Sequence, residues 1–229
     1  MVLANPGPLG LGAFALTTFV LSCYNVGIFG VSTTDPVNVI TGLALFYGGL
    51  AQILAGMWEF AVGNTFGATA FTSYGAFWLS FATFLIPSFG VGTAYAAAQT
   101  PDSVLLHASA IFLLAWTIFT FLMFLASLRT TIALALLFLF LTITFALLTA
   151  AEFGSRTLGD FGHFTNTHQA AGFFGIATAA LAWYSALAGL LTSQPRPLFT
   201  LPVGRFPLRF VIGPSSSPAA SSPPSKRRR

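Results

Sequence analysis

The side chains in this sequence that could do chemistry are few, and almost all are uncharged. An ionisable group inside a long apolar run costs several kcal/mol and therefore marks pathways more often than it serves packing. One such group stands out, Glu59 in the run Met57-Trp58-Glu59-Phe60. Two readings of it stay open: a carboxylate in interfacial water beside an interfacial tryptophan, or a protonatable group near the mouth of a pore. No Lys or Arg falls in the middle of an apolar run, which argues against an anion site built on a buried salt bridge and against a relay of carboxylates. His107, His163 and His168 lack metal-ligand spacing, and Cys23 stands alone in an apolar run, so neither a metal nor a cofactor is expected. No nucleophile has a base at motif spacing, and no glycine loop could cradle a phosphate. The sequence therefore holds no catalytic constellation, is not expected to be an enzyme, and cannot drive transport with ATP.

What remains is a set of neutral hydrogen-bonding groups. Thr17, Thr18, Ser22 and Asn25 cluster near the N-terminus, and Thr18, Ser22 and Asn25, at spacings of four and three, share one helical face. Thr41 and Gln52 follow, then Thr72, Ser73 and Tyr74, then Thr142 and Thr144. Hydroxyls often bond back to their own helix. Amides are harder to dismiss, because Asn and Gln each present four hydrogen-bonding positions that hydrocarbon cannot satisfy. A route lined by hydroxyls and amides suits a small, weakly polar solute.

The elements that carry these groups are apolar and long. Of 229 residues, 55% are hydrophobic and 6% charged; a water-facing surface takes about a quarter charged residues, so a soluble domain is excluded. A hydrocarbon layer about 30 Å thick needs about 20 apolar helical residues. Six runs meet this, at 10–31, 39–61, 70–92, 104–127, 131–151 and 168–192. They are continuous and rich in Leu, Ala and Phe rather than alternating, which excludes an outer-membrane barrel. The fold class is thus an all-α membrane protein with six transmembrane helices. The first run is read as a mature span, since no basic segment precedes it as in a signal peptide. Glycines and alanines recurring at close spacing, as at Gly48, Gly49 and Gly56 or Gly172 and Gly175, are read as helix-packing positions.

Charge placement orients the bundle. Arg129, Arg196, Arg205, Arg209 and Lys226 to Arg229 lie on the side of the termini, whereas the other side carries Arg156 with Asp35, Asp102, Glu152 and Asp160. The positive-inside rule makes both termini cytoplasmic. Because six of the nine basic residues fall in the last 25, the basic balance belongs to a tail and not to a nucleic-acid surface. The domain reading is a short N-terminal segment 1–9, a transmembrane domain 10–192, and a disordered Pro/Ser-rich basic tail 193–229.

Two stretches go beyond composition. One is Asn5-Pro6-Gly7-Pro8-Leu9-Gly10-Leu11 running into Phe14; the other is FYGGLAQILAGMWEFAVGNTFGATAFTSYGAFW, from Phe46 to Trp78. Together they closely resemble the acetate uptake transporter family, also called succinate/acetate permeases. The N-P-x-P-[LF]-G-L motif of that family falls on Asn5, Pro6, Pro8 and Gly10, and weaker similarity continues to about residue 192.

The resemblance implies a homo-hexamer of six-helix protomers, each with its own pore, moving acetate and related monocarboxylates across the plasma membrane. It places a hydrophobic constriction at Phe14, Tyr74 and Leu141, with Thr17, Thr18, Ser22, Asn25, Gln52, Thr142 and Ala182 along the pathway. A bare carboxylate is expensive at such a ring. Carrying a proton with the solute removes most of that cost, while the Tyr74 hydroxyl is expected to replace part of the lost hydration. Rival readings are an acetate anion channel, an ammonium exporter, and a non-transporting receptor or scaffold that uses the basic tail.

Overall fold

A computed structural model describes residues 3–154 and 165–205. Arg156, Asp160, His163, Arg209 and most of the expected tail, 206–229, lie outside the described residues. Seven helices follow one another: α1 (Gly7–Val26), α2 (Ile40–Ala61), α3 (Thr65–Leu85), the short α4 (Val91–Ala97), α5 (Asp102–Ser127), α6 (Ile132–Gly154) and α7 (Thr165–Thr192). Among the described residues strand pairing is limited to one isolated bridge, Thr131 with Arg205.

Local chemistry sets the boundaries. Pro8 in the first turn of α1 gives up an N–H that would have had no partner, and the Asn5 side-chain oxygen accepts the Gly7 N–H at 3.0 Å. Gly27, at φ 76°, closes α1 in the left-handed conformation, five residues before the run expected from apolarity ends. Helix α3 starts at an Asn64 cap, whose side chain accepts the Gly67 N–H at 3.1 Å. It stops at Leu85 rather than at residue 92, because Pro87 forces Ile86 into an extended conformation (φ −98°, ψ 111°). Helix α6 outruns its expected run and takes in Glu152, and α7 begins at Thr165 rather than at 168, so that His168 lies about one turn inside the helix. Within α2, Leu43–Ala51 is π-helical, a departure that apolar periodicity does not announce; such widened turns cluster at functional positions.

Among the described residues, five helices are long and apolar enough to cross a membrane: α1, α2, α5, α6 and α7. Large apolar side chains face outward from them, as Ile111, Ile118, Phe121 and Leu125 do on α5. Helix α3 is 21 residues long but is not among the five, because Thr72, Ser73, Tyr74 and its glycines dilute its hydropathy. Yet Ala68, Phe71, Tyr74, Gly75, Trp78 and Ala82 are all buried, so α3 packs one face, Tyr74 included, against other helices. It packs on α2, while α1 packs on α7 and α6 lies between α5 and α7.

Small residues permit the close approach of α1 and α7. A Cβ built on Gly172 would stand 2.8 Å from the Ser22 carbonyl oxygen and 2.9 Å from the Val26 amide nitrogen, both backbone atoms that cannot rotate away. Gly172→Ala is therefore expected to destabilise the bundle by about 1–3 kcal/mol, read as a lower thermal-unfolding midpoint of the detergent-solubilised protein; an unchanged midpoint would contradict the packing.

The segment after α7 is tied down as far as it is described. Tyr184 donates to the Pro202 carbonyl at 2.7 Å, and the Val203 carbonyl accepts the Ala133 N–H at 3.0 Å. Pro202–Arg205 thus lines up against the start of α6. Within the stretch read as a tail, the Val203 and Gly204 carbonyls satisfy otherwise orphaned donors at a helix N-terminus.

Candidate functional site: a chain of cavities through the bundle

Four cavities run through the bundle, each sharing lining residues with the next. A wide one of about 230 Å³ lies at the end away from the N-terminus, lined in part by Asn25, Thr33, Val37, Glu152 and His168. It shares Leu21, Asn25, Phe77 and Leu148 with a small cavity of about 30 Å³. That one shares Phe14, Tyr74 and Leu141 with a third, of about 20 Å³. The third shares Leu11, Ala70, Phe71 and Phe138 with a fourth of about 150 Å³, where Asn5, Glu59 and Asn64 gather. The two middle cavities hold little more than a water molecule apiece. Phe14, Tyr74 and Leu141 thus stand at the narrow junction between them.

Helix packing fixes this junction. Phe14 from α1 meets Tyr74 from α3 edge-on at 5.8 Å between ring centres, and Phe138 from α6 lies 6.1 Å from the same tyrosine. Trp116 and Phe119 of α5 complete the aromatic surround at 6.1 and 5.6 Å. Edge-to-face rings of this kind add stability beyond the area they bury. The Tyr74 hydroxyl donates to Thr120 Oγ1 at 2.9 Å, with both residues buried. This corrects one expectation: the hydroxyl anticipated as a replacement for solute hydration is already engaged, held by a residue 46 positions away.

The other expected pathway residues divide. Thr18, Ser22 and Asn25 do share a face, and all three line the second cavity, where the Thr18 hydroxyl has no partner. Gln52 is 0% exposed and lines the third cavity; neither its oxygen nor its nitrogen is hydrogen-bonded. By contrast, Thr17 donates to Ala13 O at 2.9 Å and Thr142 to Phe138 O at 2.7 Å, and neither lines these four cavities. Thr144, one turn-face away, lines the second cavity while also donating to Phe140 O. Ala182 is wholly buried in the same apolar cluster as Phe14 and Leu141. The N-terminal motif is structural in detail: Phe71 covers Gly10, and Pro8 packs on Gly189.

At the N-terminal end, Glu59 is 2% exposed and lines the fourth cavity. Its Oε2 accepts a 2.7 Å hydrogen bond from Asn64 Nδ2, and it lies against Gly7 and Gly67. The starts of α1 and α3 therefore converge on it, and the positive ends of two helix dipoles favour a negative charge there. At the opposite end, Glu152 Oε1 and His168 Nε2 face each other at 3.6 Å. Both line the wide cavity. The continuation of α6 past residue 151 is what sets Glu152 on a helix facing His168. Among the described residues, no group of three or more His, Cys, Asp or Glu could hold a metal.

The long apolar helices define an integral membrane protein, and a narrow series of cavities lies inside its bundle. The chain belongs to the GPR1/FUN34/yaaH family, whose model matches residues 1–208. It is similar to acetate permease A of Emericella nidulans, with 48% identity over 205 residues, 89% of this chain and 67% of that protein. It is also similar to ammonia transport outward protein 2 of Saccharomyces cerevisiae, with 46% identity over 83% of this chain and 63% of that protein. The succinate-acetate/proton symporter SatP of Escherichia coli is 39% identical over 84% of this chain and 91% of its own length. The chain thus spans about two thirds of the length of these two fungal relatives. In three dimensions it matches the structure of the bacterial acetate channel SatP, with a TM-score of 0.71 and 36% identity over 89% of this chain and 100% of that one.

Proposed function

We propose that this chain carries acetate and similar short monocarboxylates across a membrane together with H⁺, through the cavities of each protomer. In this reading the chain spans the plasma membrane six times, α3 included, with both termini cytoplasmic, and assembles as a homo-hexamer. The observation that carries it is the junction at Phe14, Tyr74 and Leu141, which joins two cavities too small for a hydrated ion. No Lys, Arg or His lines either of those cavities. A carboxylate would have to shed its water there with no cation to receive it, at a cost of several kcal/mol. The un-ionised acid avoids most of that cost, and a methyl group fits an aromatic and aliphatic ring that rejects bulkier or doubly charged acids.

Names among the relatives, an acetate permease and a succinate-acetate/proton symporter, support the same substrate class. The bacterial structure is named an acetate channel, so anion conduction is the principal rival; a cation route, as the ammonia-transport relative suggests, would use Glu59 and Glu152 as its acidic mouths. Labelled acetate uptake into proteoliposomes of the purified chain, with unlabelled competitors, tests the reading. Propionate is expected to compete and ammonium is not; uptake equal to that of protein-free liposomes would remove the transport reading altogether.

The Glu152–His168 pair yields a directional expectation. Glu152, beside His168, is the one carboxylate in the described lining of the wide cavity, and when ionised it repels an arriving anion. Glu152→Gln is expected to lower the apparent KM for acetate by about two- to fivefold, the equivalent of about 0.5–1 kcal/mol for a partly solvated charge, with little change in maximal rate. A raised KM in initial-rate measurements would contradict a repulsive role.

A further inference from the structure

Gln52 follows the π-helical stretch of α2 directly, and its side chain is sealed among apolar and aromatic groups beside the junction. Neither Oε1 nor Nε2 has a hydrogen-bond partner, although the residue is 0% exposed. Leaving an amide so is costly, by about 1–3 kcal/mol for each stranded group. A leucine of similar volume would carry no such penalty, so the position is built for a ligand with hydrogen-bonding groups of its own. With the Tyr74 hydroxyl given to Thr120, Gln52 holds the free side-chain polar atoms of this cavity.

The chemistry of the ligand follows from the amide. In one plane it presents an acceptor, the C=O, beside a donor, the N–H. An un-ionised carboxyl group presents the complement, an O–H beside a C=O, and the two close into a ring of two hydrogen bonds. A carboxylate presents two acceptors: one meets the N–H, the other faces Oε1 with no proton between them, and no cation in the lining offsets the charge. A primary carboxamide offers the same complement as the acid, an N–H beside a C=O, and does not ionise.

We propose that Gln52 reads the un-ionised carboxyl group by this paired contact, and that the same cavity therefore accepts small primary carboxamides, acetamide being the simplest. This rests on the transport reading above and names the form of the solute that passes.

The test is labelled acetamide and labelled acetate uptake into proteoliposomes of the full chain, with protein-free liposomes as background. Acetamide is expected to enter above background, at a rate indifferent to an imposed pH gradient, and to be slowed by excess acetate at acidic pH. Gln52→Leu is expected to cut acetamide uptake about tenfold, for loss of two hydrogen bonds worth about 1.4 kcal/mol net. Gln52→Glu keeps the volume and the plane but needs its own proton to act as donor. Its acetamide uptake is expected to fall severalfold from pH 5 to pH 8 while the unsubstituted chain stays flat, a signature that a packing role would not produce. Acetate uptake without acetamide uptake would overturn this proposal and leave the transport reading standing. Gln52→Leu at the unsubstituted rate, or a flat Gln52→Glu profile, would overturn it too. Failure of both solutes to enter would overturn both.

Discussion

Leu141→Ala is expected to raise the lactate-to-acetate uptake ratio about tenfold, the discrimination that a single methylene's worth of space commonly gives in an apolar pocket. Leu141 is 3% exposed and borders both middle cavities, so its isobutyl group is one wall of the junction. Lactate adds a carbon and a hydroxyl to acetate without adding a second charge. Its exclusion is then a matter of space, and removing that wall lets it through. Phe14→Ala opens the opposite wall and should shift selectivity in the same direction. It also forfeits the edge-on contact with Tyr74, so a stability loss of about 3–5 kcal/mol accompanies it. The smaller residue is therefore the cleaner probe. Ratios unchanged in both variants would remove the constriction from these residues.

Glu59→Ala is expected to weaken the fold at the starts of two helices. The carboxylate accepts from Asn64, the same side chain that caps α3 through the Gly67 N–H, and it lies against the first turn of α1. Truncation strands the Asn64 donor and removes the negative charge on which two helix starts converge. Hydrogen bonds to charged groups are worth about 1.5–3 kcal/mol, and helix-dipole contacts add to that. We expect a thermal midpoint lowered by several degrees and a smaller monodisperse fraction on gel filtration. Glu59→Gln keeps an oxygen acceptor for Asn64 and should retain most of the midpoint. If it folds normally yet loses uptake, Glu59 acts on the pathway as well as on the fold; if Ala and Gln melt together at the unsubstituted temperature, the capping role is wrong.

Apolar length alone located every long helix here, because crossing hydrocarbon imposes a minimum run that composition records. Ends were another matter. Pro87 stops α3 through the conformation of the residue before it, a local rule that outweighs the apolar residues continuing to 92. The extension of α6 past its apolar run hid the helical setting of Glu152, which meets His168 only across a helix–helix contact. Thr18, Ser22 and Asn25 were legible as one face because helical spacing is a local property. The Tyr74–Thr120 bond was not, since nothing local links residues 46 positions apart. Thr17 and Thr142 show the reverse, polar side chains at plausible positions that simply bond back to their own helices. Helix α3 is the most instructive element. Tyr74, one of the residues that weaken its membrane signal, is turned inward, so the least apolar long helix carries the centre of the site.

The most direct test of the central claim is the driving force for acetate itself. Proteoliposomes of the full chain, loaded at one pH and diluted into labelled acetate, can be given an inward proton gradient or a membrane potential at equal pH, each against protein-free vesicles. Passage of acid with its proton requires uptake that rises with the proton gradient and ignores the potential. Uptake that follows the potential and is indifferent to the proton gradient would contradict it and establish conduction of the bare anion.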